Sequence, residues 1–102
     1  MSVVVVATIL PLPGHHDEVA AALAAAVEQV HSEDGCELYA LHQADGRLVM
    51  VERWASADAL DVHSKGPNLV ALTSALAGLV AGAPDVVLLE AVPAGDPVKG
   101  QL

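Results

Sequence analysis

The sequence predicts an α+β domain in which four strands and two helical regions follow the order β-α-β-β-α-β. Three observations predict it: β-branched apolar runs near both ends of the chain, an Asp-Gly hairpin signal close to its middle, and two stretches in which apolar residues recur at helical spacing. No linker separates these pieces, so residues 1–102 form one domain with its core over 3–92. The order is the split β-α-β arrangement of ferredoxin-like folds.

The first strand is the run from Val3 to Leu10, closed by Pro11-Leu12-Pro13-Gly14, which cannot continue a ladder. From Asp17 to His31 the residues Val19, Leu23, Ala26, Val27 and Val30 keep helical spacing, with Asp17 and Glu18 at the dipole-favoured start and Gly35 beyond the end. Cys36 to Gln43 and Arg47 to Trp54 read as strands joined by Ala44-Asp45-Gly46. Ser56 is a good N-cap for a short helix carrying Leu60, which Gly66-Pro67 interrupts. A further helix resumes at Pro67, where a missing N–H does no harm, with the stripe Leu69, Leu72, Leu76, Leu79 and Val80. Asp85 to Val92 is the fourth strand, and Pro93 to Leu102 is a loose polar tail.

Composition narrows the partners. Thirteen acidic residues against four basic ones give a formal charge of −9, which repels a phosphate backbone and leaves no basic stripe to grip one. Nucleic acid and an anionic membrane surface are therefore not expected. The apolar runs fall far short of the roughly 20 residues that span a bilayer. Cys36 is the one cysteine, and the first residues lack the basic region and cleavage site of a secretory signal, so the expected compartment is a reducing cytoplasm.

The strands are apolar on both faces. If Asp45-Gly46 is a two-residue turn, Tyr39 lies opposite Glu52, and Glu37, Tyr39, Leu41, Leu48, Met50, Glu52 and Trp54 share one face. Cys36, Leu38, Ala40, His42, Val49, Val51 and Arg53 then share the other. Helices can cover only one such face, and a bare apolar sheet exceeds the several hundred Å² that monomers tolerate. A homodimer that packs sheet on sheet is expected.

Val5-Ala7-Thr8 leading to Pro13-Gly14, then Glu33-Asp34-Gly35-Cys36 with Tyr39, then Glu52-Arg53-Trp54 with Ala59-Leu60 and His63, make the chain resemble the antibiotic biosynthesis monooxygenase family over residues 3 to 92. The resemblance implies a ferredoxin-like domain paired into a dimeric α+β barrel. It also implies a monooxygenase that oxidises a phenolic, quinol or polyketide-type aromatic substrate with O2, using no flavin, haem or metal cofactor. A deprotonated phenol can itself give an electron to O2, leaving the protein to supply binding, a proton acceptor and shielding from water. Two other functions share this frame: a non-enzymatic barrel that binds a small molecule, and a haem-binding or haem-degrading relative. The first-strand asparagine of haem-degrading relatives has no counterpart here, where Ala7 and Thr8 stand.

The motif match singles out His63 as the catalytic base, since an imidazole suits proton abstraction near neutral pH. Its position at the end of a short helix also suits a solvated histidine. Trp54 and Tyr39 are the only large aromatics and, with Met50 and Glu52, mark one sheet face as a substrate-binding wall. Core packing explains aromatics there equally. On an apolar face Glu52 must either find a cation or hold its proton more tightly, and Arg53 across a dimer interface is a candidate partner. His42 reads as an inward, hydrogen-bonded histidine, His15 and His16 as solvated, and Cys36 as a small hydrophobe. No two histidines have zinc-site spacing on a helix, and no glycine-rich phosphate loop occurs.

Overall fold

The computed structural model describes residues 2–102. Its elements are β1 (Val3–Ile9), α1 (His16–Val30), β2 (Cys36–Ala44), β3 (Arg47–Trp54), α2 (Ala57–Lys65), α3 (Pro67–Leu76) and β4 (Asp85–Leu89). The strands form one antiparallel sheet in the order β2-β3-β1-β4, so the α+β class and the ferredoxin-like topology are as the sequence predicts. No helix among the described residues is long and apolar enough to cross a membrane.

Local chemistry sets most boundaries. Ala44 pairs with Arg47 across the two-residue turn, Gly46 takes φ +74°, and Tyr39 falls opposite Glu52. The Ser56 hydroxyl accepts the Ala59 N–H at 3.1 Å and starts α2, while Pro67 opens α3 directly after Gly66.

Beyond shifts of one residue at the ends of β1, α1 and β2, the elements depart from the sequence reading in three ways. The stripe of α3 stops at Leu76, because Ala77 leaves the helical region and Gly78 turns left-handed at φ +79°. Leu79 and Val80 instead belong to a short bridge: Leu12 N–H donates to the Leu79 carbonyl and Ala81 N–H to the Leu10 carbonyl. β4 ends at Leu89 rather than Val92, since Leu89 already faces Val4 and only one residue of β1 remains beyond it. In β2 a bulge between Cys36 and Leu38 inserts Glu37, which reverses the sides of the strand's first two residues. Cys36 thereby packs against the core, and Glu37 joins Arg53 at 3.2 Å and Ser2 at 2.7 Å.

All the helices lie on one side of the sheet. Val5, Ala7, Ile9, Tyr39, Leu48, Met50 and Trp54 pack there against Val19, Leu23 and Val30 of α1 and Leu72 and Leu76 of α3. Val49, Val51, Val6 and Leu38 face the other way, where no helix among the described residues packs, and are only half-buried. β4 is exposed along its whole length, including Val86, Val87, Leu88 and Leu89.

Candidate active site

A cavity of about 260 Å³ lies between the sheet and the α2–α3 pair. Its floor comes from Val5, Ala7 and Met50 and its roof from Leu60, Leu69 and Leu72, with Pro84 and Val86 at the β4 side. A wider hollow of about 480 Å³ between Pro11–Gly14 and the Gln43–Gly46 hairpin has no buried titratable group among its lining residues. Within the smaller cavity stand both buried polar residues of the described chain, Glu52 and His63.

His63 is 4% exposed, so it is not the solvated helix-end histidine that its position would also suit. Its Nδ1 lies 3.0 and 3.3 Å from the two carboxylate oxygens of Glu33. A carboxylate has no hydrogen to give, so Nδ1–H donates, and in the neutral imidazole the lone pair is then on Nε2. Asn68 donates its amide N–H to Glu33 Oε2 at 3.0 Å, which fixes the carboxylate from its far side. The loop that carries Glu33 closes on α2 at Gly35, whose φ of +80° and missing side chain admit Ala59.

Trp54 is fully buried and stacks on the His63 ring, with centroids 4.4 Å apart and planes at 29°. Tyr39 meets the same imidazole edge-on at 5.5 Å. The indole N–H donates to Glu52 Oε1 at 2.9 Å. Burial pushes the Glu52 carboxyl above its usual range, opposed by the indole hydrogen bond and by His63. Burial first, then the Glu52 and Glu33 carboxylates, likewise push the Tyr39 hydroxyl upward.

Of the residues the sequence singles out, His63, Glu52, Tyr39 and Met50 line the cavity. Trp54 stands behind His63, where it orients the imidazole, and is not among the lining residues. Within this chain Arg53 pairs with Glu37 on the opposite side of the sheet from Glu52, whose carboxyl pKa is pushed upward by its burial. His42 is exposed in the single chain, with Nδ1 3.2 Å from the Ala40 carbonyl, and shares the face of Val49, Val51 and Arg53 as the sequence predicts, away from the helices. His15 and His16 are surface residues paired with Glu18 and Gln43. The sequence reading missed the roles of Glu33 and Asn68. Glu33 stands inside the Glu-Asp-Gly-Cys motif, but its partner lies thirty positions on. Asn68 has no local signal beyond following Pro67.

A ferredoxin-like sheet with one buried, carboxylate-held histidine beside a largely apolar cavity defines the class of this small α+β protein. Residues 2–73 match the family described as antibiotic biosynthesis monooxygenase, and the chain belongs to that family. A protein of Mycobacterium tuberculosis named "Putative monooxygenase Rv0793" is 37% identical over 68 residues, 65% of this chain and 67% of that protein. The solved structure of Rv0793 superposes with a TM-score of 0.83 at 31% identity, covering 94% of this chain and 100% of that one. A crystal structure from Caulobacter crescentus CB15, named as a putative antibiotic biosynthesis monooxygenase, has a TM-score of 0.82 at 30% identity, covering 89% and 90%.

Proposed function

We propose that the protein is a homodimeric, cofactor-independent monooxygenase that oxidises a small phenolic, quinol or polyketide-type aromatic with O2. The observation that carries this reading is His63: buried, held at Nδ1 by Glu33 and with Nε2 left for a substrate in the cavity. A base fixed in one tautomer and one orientation is what proton abstraction in a dry pocket requires.

Chemically, His63 Nε2 takes the hydroxyl proton of a hydroquinone, and the resulting phenolate is the electron donor. One oxygen atom of O2 enters the ring and the other leaves as water, so hydroquinone plus O2 gives hydroxyquinone plus water and the substrate supplies all the electrons. The apolar walls keep the phenolate out of bulk water, and Met50 and Tyr39 bound the ring. A volume of about 260 Å³ lies below the range usual for drug-sized ligands, ~300 to 1,000 Å³, and favours one or two rings. Dimerisation through the outward sheet face would cover Val49 and Val51 and leave this cavity on the helix side of each protomer.

Oxygen uptake with a simple hydroquinone, after exhaustive chelation, tests the activity. His63→Ala should lower the rate by roughly 10² or more with the fold intact, because a general base contributes about 10² to 10⁴. Uptake abolished by chelation refutes the metal-free route. No uptake with any quinol, but tight binding of one, identifies a binding barrel instead. A Soret band on haem titration moves the chain to the haem-binding relatives.

A further inference from the structure

Glu52 and His63 reach one cavity from opposite layers, the carboxyl from the sheet and the imidazole from α2. Each is at least nine-tenths buried, at 5% and 4% exposure. Each spends one polar atom on the protein: Glu52 Oε1 accepts from Trp54, and His63 Nδ1 donates to Glu33. Glu52 Oε2 and His63 Nε2 have no protein partner, yet no sealed side-chain nitrogen or oxygen among the described residues goes unpaired. Both atoms therefore open on to the cavity. The proton abstraction proposed above uses the base and gives the carboxyl opposite it no chemical step.

We propose that this cavity also catalyses an oxygen-independent 1,3-proton shift, converting a small β,γ-unsaturated ketone into its conjugated α,β-unsaturated isomer. His63 Nε2 removes the proton between the carbonyl and the alkene. The C–H electron pair moves into the carbonyl, and the resulting dienolate oxygen is stabilised by a hydrogen bond from Glu52 Oε2–H. The imidazolium then returns the same proton to the γ carbon, and the double bond comes to rest beside the carbonyl. Atoms and electrons are conserved, with no oxidant or reductant.

Two further features support this assignment. A carboxyl among Val5, Ala7, Met50 and Leu60 favours its neutral form, which alone can donate, and a donor in such surroundings is worth more than in water. The indole N–H on Oε1 also leaves Oε2 as the oxygen that faces substrate. The proposal uses the same base as the oxygenase reading but does not depend on O2.

The test is to incubate the full-length protein anaerobically with cyclohex-3-en-1-one, following conjugated-enone absorbance and, in D2O, α-proton exchange by NMR. Wild type should exceed the buffer rate in both. His63→Ala should fall by roughly 10² or more, and Glu52→Ala by about 10², the usual effect of losing one donor to a developing oxyanion. If either alanine variant is unfolded by circular dichroism, His63→Gln and Glu52→Gln provide the comparison at nearly constant volume. No acceleration of isomerisation or exchange by wild type overturns the proposal, as does a Glu52 variant as fast as wild type. Oxygen uptake with a hydroquinone, measured in parallel, separates the two activities: uptake without isomerisation sinks this proposal alone, and isomerisation without uptake sinks the oxygenase reading alone.

Discussion

Replacing Gly35 by alanine should be among the most damaging single-methyl changes in the chain. At φ +80° an L-residue loses about 1–2 kcal/mol against its relaxed conformation. The new Cβ would also stand 2.5 Å from the Ala59 Cβ, where carbon atoms prefer roughly 3.5 to 4.0 Å, so the loop or α2 must move by about 1 Å. Overpacking of that kind typically costs about 1–3 kcal/mol. The loop cannot simply swing away, because the Gly35 carbonyl accepts the Ala55 N–H at 2.8 Å. The expected total is about 2–5 kcal/mol, read from urea unfolding at fixed protein concentration. Gly35→Ala with Ala59→Gly should recover the steric part but not the dihedral part, less about 1 kcal/mol for a glycine in α2. A loss below about 1 kcal/mol, or a double variant equal to the sum of the singles, would refute the close-approach argument. Activity should fall further than stability in Gly35→Ala, since Glu33 is two residues away and misplacing a catalytic group by 1 Å can cost ~10² in rate.

Glu52→Gln tests the buried carboxyl through pH. Because folding raises the Glu52 pKa, its proton stabilises the native state at pH below the ordinary value of 4.5, and that stability is lost as pH rises through the folded value. The glutamine variant escapes that loss, so its midpoint should gain on wild type as pH rises above 4.5 and level off once the folded carboxyl has ionised; a constant gap contradicts the raised pKa. Val49→Asp, on the outward face, should yield folded monomers in sedimentation equilibrium. Met50→Asp, at 1% exposure toward the helices, should instead unfold the chain by several kcal/mol, and an exchange of these outcomes would invert the assignment of faces. Ser56→Ala should cost about 1 kcal/mol, a fall of about 4–8 °C in Tm for a domain of this size, while an unchanged Tm would show that the α2 cap carries no weight.

The hairpin register is legible in the sequence because Asp45-Gly46 strongly favours a two-residue turn, and that turn fixes which side chains face one another. His63 is legible through its motif, although its burial is not, since a helix-end histidine suits solvent equally well. The bulge at Glu37 escapes detection because Cys36 and Leu38 are both apolar and either alternation looks acceptable. The carboxylate and amide behind His63 are out of reach for a different reason. They converge from the loop after α1 and the start of α3, and local periodicity carries no information about which loop will meet which helix. The same holds for the Val80–Pro11 bridge, whose residues extend a helical stripe in sequence but leave the helix once Gly78 turns the chain.

The chain has a single tryptophan, and it stacks on the candidate base while donating to the candidate acid. Its fluorescence is therefore a reporter already wired to the site. No other indole contributes background, and the emitting ring touches the one imidazole whose protonation would quench it. Ligand entry, a change of charge on the neighbouring carboxyl and displacement of α2 should each alter intensity or wavelength without any label. Stopped-flow mixing of the native protein can then time occupancy of the cavity even for a colourless ligand.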